Sequence, residues 1–256
     1  MMSRKWFWLL PIMLFALSCN DSDDATPVTK PQNTGTPCPD ASEIVYAGRT
    51  YHTVKIGDQC WLRENLDVGV AIAPADTAKD NDIIEKYCYH GEPANCIVYG
   101  GLYTWDEMMQ FNDSSQRGIC PEGWHIPDDA EWQQLEANLD SLYSQNDTVW
   151  LGSGWRGSDA GGRMKATGLD SWFNPNAGAT NTVGFTALPG GMRLAETKQS
   201  EQMQQSAWYW TATPVGETDA FFRLLSYTHA DIKKGNASRE NAFSVRCIKN
   251  EIPNNK

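Results

Sequence analysis

Two stretches of the chain carry a helical repeat of apolar positions. After Pro127-Asp-Asp-Ala-Glu131, residues Trp132, Leu135 and Leu139 fall at i, i+3 and i+7, the buried face of one helix. Asp128 stands where it can cap that helix, and Glu131 occupies the third helical position of a capping box. Thr104-Trp-Asp-Glu107 repeats the signature. Trp105, Met108 and Met109 give it an apolar face, so a short helix is predicted there too. Elsewhere the pattern alternates or is broken by Gly and Pro. Ile44 to Ile56 predicts two short strands around Ala47-Gly48-Arg49-Thr50, because Tyr51, Thr53, Val54 and Ile56 favour extended backbone. Gln59 to Asn65 reads as a strand end. Residues 67–98 read as irregular, with Asp-Asn-Asp at 80–82. Val183–Leu188, Trp208–Ala212, Phe221–Tyr227 and Ala242–Ile248 read as short strands. Turns are expected at Pro189-Gly190-Gly191, at Pro214 and at Lys234-Gly235-Asn236. Two early helices followed by many short strands make an α+β pattern.

Residues 144–182 have a different texture. Gly, Ser, Asn and Asp dominate, yet Trp150, Trp155, Trp172 and Phe173 interrupt them. A loop this long in a compact domain is functional or disordered, and tryptophan argues against disorder. Indole faces stack on sugar rings or anchor a protein partner, while nearby Asp and Asn supply hydrogen bonds. Trp150, Trp155 and Trp172 are therefore the candidate ligand-binding residues. The competing role is to pin a long loop to the domain.

The ends of the chain change the picture of where it works. Arg4 and Lys5 precede an apolar run from Trp6 to Leu17, too short to span a membrane as a mature helix. The run stops at Ala16-Leu17-Ser18-Cys19 and resembles a bacterial lipoprotein signal, in which cleavage frees Cys19 for lipidation. Asn20-Asp-Ser-Asp-Asp24 reads either as a solvated acidic tether or as the acidic export signal of Bacteroidota surface lipoproteins. The expected organisation is a signal peptide at 1–18, a flexible tether at 19–43, one domain at 44–250 and a tail at 251–256. Outer-membrane anchoring with surface display is expected, a periplasm-facing domain being the other orientation. The formal net charge of −11 falls by two, to −13, when Arg4 and Lys5 leave with the signal. An acidic chain without a basic stripe excludes nucleic acid as the expected partner.

Seven cysteines become six once Cys19 is assigned to lipid. An even number in an exported chain implies disulfides, and six allow fifteen connectivities. Cys88 and Cys96 suit a short closed loop. Cys120 and Cys247 suit a link from mid-domain to the last strand, which leaves Cys38 with Cys60. His52, His90, His125 and His229 stand apart without metal-ligand spacing, so neither metal nor cofactor is expected.

Several segments together resemble a known family. Trp61-Leu-Arg-Glu-Asn-Leu66, Tyr99-Gly-Gly-Leu-Tyr-Thr-Trp105, Cys120-Pro-Glu-Gly-Trp-His-Ile-Pro127, Gly184 to Arg193, Trp208-Tyr-Trp-Thr-Ala-Thr213 and Ser244-Val-Arg-Cys247 resemble the Fibrobacter succinogenes major paralogous domain. A more distant likeness links Trp124-His-Ile-Pro-Asp-Asp-Ala-Glu-Trp132 and Phe243-Ser-Val-Arg-Cys247 to the formylglycine-generating, sulfatase-modifying family. Both resemblances imply a C-type-lectin-like fold, with early helices on a small twisted, mainly antiparallel sheet and a long loop region bearing the ligand site. That region coincides with 144–182.

Three functional readings follow. The favoured one is a non-catalytic binding or adhesion domain for glycan or a surface protein, held to the membrane by lipid. The second is a structural module of a surface assembly. The third, a formylglycine-generating-like oxidase, needs a reactive cysteine pair, and Cys247 is the lone cysteine late in the chain. No GxSxG, HExxH, P-loop or GxGxxG motif occurs, so no catalytic residue is assigned. Calcium-dependent sugar binding lacks its expected carboxylate–amide motif.

Overall fold

The computed structural model describes residues 35–250. Cys19, the acidic run at 20–24 and the tail at 251–256 lie outside the described residues. The domain opens with a hairpin of β1 (Glu43–Tyr46) and β2 (Arg49–Ile56), turned by Ala47 and Gly48, both at positive φ. Such a turn follows the natural twist of the strands and favours glycine. β3 (Gln59–Leu62) returns beside β2. Next, β4 (Val70–Ala71) pairs in parallel with β5 (Glu85–Lys86). Helix α1 (Pro93–Tyr99) starts on a proline, whose missing N–H costs nothing in a first turn. β6 (Tyr103–Thr104) leads into α2 (Trp105–Met108), capped by the Thr104 hydroxyl. β7 (Trp124–His125) precedes α3 (Asp129–Leu139), where both bonds of the Asp128–Glu131 capping box form. Trp132, Leu135 and Leu139 are buried, as their spacing predicts. β8 (Gly154–Arg156), α4 (Ala160–Met164), β9 (Met192–Arg193) and β10 (Ser200–Glu201) follow. The long strands come next: β11 (Ser206–Val215), β12 (Asp219–Ser226) and β13 (Ile232–Ser238). β14 (Ala242–Phe243) and β15 (Ile248–Lys249) complete the described chain.

The strands form three larger sheets, ordered β1-β2-β3-β15-β7, β10-β9-β14-β6 and β11-β12-β13-β8. All their pairings are antiparallel, and with four helices the class is α+β. The first sheet joins both ends of the domain, since Ile248 pairs with Trp61 on one side and His125 on the other. One core gathers Tyr51, Trp105, Trp210 and Phe243. A second gathers Trp61, Trp132, Trp172, Phe185 and Tyr209, with Trp61 and Trp132 ring centroids 5.0 Å apart. Trp124 is buried as well, and Trp208 packs half-buried on the first core. Three disulfides join Cys38 to Cys60, Cys88 to Cys96 and Cys120 to Cys247.

Several expectations are corrected. Residues near the end of the expected tether are docked: Cys38 is buried, and the Lys55 N–H donates to the Thr36 carbonyl at 2.7 Å. Val183–Leu188 is not a strand. The buried guanidinium of Arg246 takes the carbonyls of Phe185 and Thr186, which a strand would offer to a neighbour. Ala242–Ile248 is two strands, because Ser244 bonds to the backbone of Trp208 and Trp210 before Cys247 accepts from Leu62. Lys234-Gly235-Asn236 is no turn but part of β13. Its glycine is required because a Cβ there would lie 2.6 Å from the Phe222 ring. Pro214 sits in β11 beyond a bulge, and the chain turns at Gly216 instead.

Candidate functional site

The three tryptophans of 144–182 part company in the folded chain. Trp150 is 2% exposed and Trp172 1%, so neither offers a surface to a ligand. Each indole N–H is spent internally, Trp150 on the Ser144 carbonyl at 2.8 Å and Trp172 on the Ala187 carbonyl at 3.0 Å. Each ring also lies beside a cation, Arg156 over Trp150 at 5.9 Å and Lys165 over Trp172 at 5.3 Å. Both are therefore structural: they pin the long segment to the domain, and the ligand-binding expectation fails for them.

Trp155 differs. It is half-buried on β8, the edge strand of its sheet. Strand alternation points neighbouring residues to opposite faces. Arg156 accordingly turns inward, 4% exposed, while Trp155 lies in parallel contact with the His229 ring at 3.7 Å. His229 is oriented by Asp231, whose carboxylate is 3.0 Å from Nδ1. Lys233 stands opposite Trp155 across the strand pair. The result is a flat aromatic pair at the edge of the sheet, with Asp231 on His229 and Lys233 opposite Trp155 on the neighbouring strand. Such a surface can stack on a sugar ring or receive a protein side chain.

The inner side of the same strand is rigidly held. Arg156 donates to Glu136 at 3.0 and 2.6 Å, and Arg223 also pairs with Glu136. Arg223 reaches Asp129 at 2.9 Å, and Asp129 pairs with Lys234 at 2.6 Å. These charges tie α3, β8, β12 and β13 together, and all five side chains are buried or nearly so.

A second concave region, a cleft of about 700 Å³, lies beside the start of α3 and is lined by Arg117, Glu122, His125, Glu131 and Asn250. His125 contacts Glu131 through Nε2 at 2.8 Å and Asn250 Oδ1 through Nδ1 at 2.7 Å. Burial works to lower its pKa, but Glu131 and Asn250 outweigh that and hold it above the ordinary histidine range. Glu131 is also committed to the Asp128 N–H at 2.9 Å. These groups serve to fasten β7 to α3. His52 pairs with Glu64 at 2.9 Å on the surface. Among the described residues, no three His, Cys, Asp or Glu side chains already converge as a metal centre. Cys247 is fully buried in its disulfide with Cys120, so it offers no thiolate.

The sequence reading missed the buried charges. Lys165, Arg193, Arg246 and the Glu136 pair of arginines are all at least nine-tenths buried. A signal existed for Glu136, which stands four residues after Trp132 on the apolar face of α3.

No curated protein and no solved structure gives a significant match to the chain. Residues 54–249 match the Fibrobacter succinogenes major domain, most of the chain and nearly all of the folded region described above, and the protein belongs to that family.

Proposed function

We propose that the protein is an exported, lipid-anchored binding module whose ligand surface centres on Trp155 and His229. The observation that carries this reading is the parallel stack of those two rings at 3.7 Å on an edge strand. Rigid aromatic surface of this kind contributes strongly to binding when it is covered by a partner. The buried ion pairs behind β8 hold the stack in place without ligand, so little ordering is needed on association. The occupant is a glycan or a surface protein. Within the α+β class we favour a C-type-lectin-like arrangement, supported by the union of first and last strands in one sheet and by the placement of β8 within the long middle segment. An experimental structure with a different strand order would remove that assignment.

The test uses the chain from Asn20 onward on a glycan array and in pull-downs from envelope extracts. Trp155→Ala is expected to weaken whatever binding the wild type shows by about 30-fold, the equivalent of roughly 2 kcal/mol. Its melting temperature should stay within a few degrees of the wild type. Unchanged binding with a lower melting temperature would assign Trp155 to packing. Capture of a protein with no glycan signal would favour the surface-assembly role.

A further inference from the structure

The register of the β11-β12-β13-β8 sheet sets four side chains in one line. Trp208 stands opposite Leu224, Leu224 opposite Lys233, and Lys233 opposite Trp155. Residues directly opposite in antiparallel strands point to the same face, so the four make a row that crosses the whole sheet. Three strand spacings separate its ends, about 14 Å. Trp208, Lys233 and Trp155 are half-buried, and Leu224 between them is 7% exposed. Both indoles and the amine thus reach solvent, with Leu224 as the floor. Both aromatic ends are held in place without a ligand. His229 stacks on Trp155 at 3.7 Å. Trp208 packs on Phe222 and Phe243, with ring centroids 4.8 and 5.1 Å away, and its Nε1 donates to Ser206 Oγ at 2.8 Å. Two residues beyond Leu224, on the same face, Ser226 is half-buried with its hydroxyl 2.9 Å from that of Thr228. The row contains no carboxylate, and among the described residues Lys233 forms no ion pair. The nearby Asp231 is turned to His229.

We propose that the ligand of this surface is a linear acidic oligosaccharide that lies across the strands, stacked on Trp155 at one end and on Trp208 at the other, with a uronate carboxylate on Lys233 between them. The inference rests on the binding role given to Trp155 above and adds a second aromatic contact, a length and a charge. The direction of the row separates a glycan from a peptide. An extended peptide joins a sheet along its edge strand, where backbone hydrogen bonds hold it. This row runs at right angles to that edge and offers a peptide backbone no ladder. A sugar chain needs none: its apolar ring faces lie on the indoles, and its hydroxyls can meet Ser226 and Thr228. The Lys233 ammonium supplies donors for a charge-assisted bond to the carboxylate. A span of about 14 Å asks for an oligosaccharide longer than two units, so that both indoles are covered at once.

The experiment is calorimetric titration of the detergent-solubilised full chain with oligosaccharides of galacturonate, mannuronate and guluronate, two and four units long, and with their methyl esters. At least one tetrasaccharide is expected to bind about tenfold more tightly than its disaccharide and about tenfold more tightly than its neutral ester. Lys233→Gln, a change on a half-exposed side chain, is expected to remove the preference for the free acid while the melting temperature stays that of the wild type. In a nuclear magnetic resonance titration with the same tetrasaccharide, the indole N–H signals of Trp155 and Trp208 should move together, while those of the buried Trp150 and Trp172 stay in place. Equal affinity for acid and ester, an unaltered preference in Lys233→Gln, or movement of the Trp155 signal alone would each overturn this proposal and leave the Trp155 surface standing. So would indifference to every uronate by a chain that captures another ligand through Trp155. Uronate binding that Trp155→Ala leaves intact would overturn both readings.

Discussion

Lys165 shows how one residue can couple the fold to pH. Its ammonium is buried and donates to the carbonyls of Ala177 at 2.8 Å, Ser226 at 2.7 Å and His229 at 2.8 Å. Three donors meet three acceptors, so the long middle segment is tied to the end of β12 and to the turn that bears His229. Burial lowers the pKa of Lys165 from the ordinary lysine range to about 8. In the unfolded chain the value is about 10.4. Between those two values the native state has released its proton and the unfolded state has not, so stability rises with pH across that window. Below about 8 both states are protonated and the gain is absent. Lys165→Met removes the titration and leaves the carbonyls without a donor, at a cost of roughly 2–3 kcal/mol at neutral pH. Urea midpoints of the two proteins are expected to diverge further from about pH 8 to pH 10, the raised tyrosine pKa values cancelling in the difference. A pH-independent gap would mean that Lys165 keeps its charge in the folded state.

At the level of elements, α3 was the most legible part of the chain. Its cap, its N3 glutamate and the i, i+3, i+7 spacing all point the same way, and local and tertiary forces agree there. The hairpin of β1 and β2 was equally plain, because Gly48 fixes the turn. What the pattern hid were elements whose partners lie far away. β13 looked like a turn because Gly235 breaks the run, yet that glycine exists to clear the Phe222 ring across the strand pair. The segment 183–188 looked like a strand because Val183, Phe185, Ala187 and Leu188 make a short apolar run, and only Arg246, some 60 residues later, explains its irregular path. The site was half legible for the same reason: tryptophan signals burial or binding alike, and the sequence does not say which of Trp150, Trp155 and Trp172 faces a cation inside. Glu136 is where these distant elements meet, since it neutralises Arg156 of β8 and Arg223 of β12 from the apolar face of α3. Glu136→Gln keeps the shape but strands the buried Arg156 guanidinium and leaves Arg223 with Asp129 alone, and breaking a buried pair in this way costs about 3–5 kcal/mol. Urea unfolding of this variant, followed by its total tryptophan fluorescence, is expected to show a loss of that order. A loss below about 1 kcal/mol would mean that water reaches the network.

At the scale of the molecule, the disulfides and the cysteine count bear on one question. Two of the three bridges staple the sheet that unites both ends of the domain: Cys60 lies in β3, and Cys247 immediately precedes β15. The Cys120–Cys247 bridge spans 127 residues and in the chain-entropy view stabilises by roughly 4–5 kcal/mol. Structural bridges of this kind persist in oxidising compartments, which fits an exported chain. Among the described residues no helix is long and apolar enough to cross a membrane. The chain has seven cysteines, and the three bridges consume six. Cys19 is the one left without an intramolecular partner, and it stands directly after the apolar run and Ser18. An odd cysteine in an exported chain either joins a second chain or carries a modification. The lipid anchoring proposed above is the second of these, a thioether-linked lipid on Cys19. Cells fed a fatty-acid analogue are therefore expected to label the wild type and not Cys19→Ala, and the variant should leave the membrane fraction while keeping its three bridges. Equal labelling of both proteins, or a wild-type dimer on a non-reducing gel that Cys19→Ala abolishes, would replace the anchor with a covalent partner.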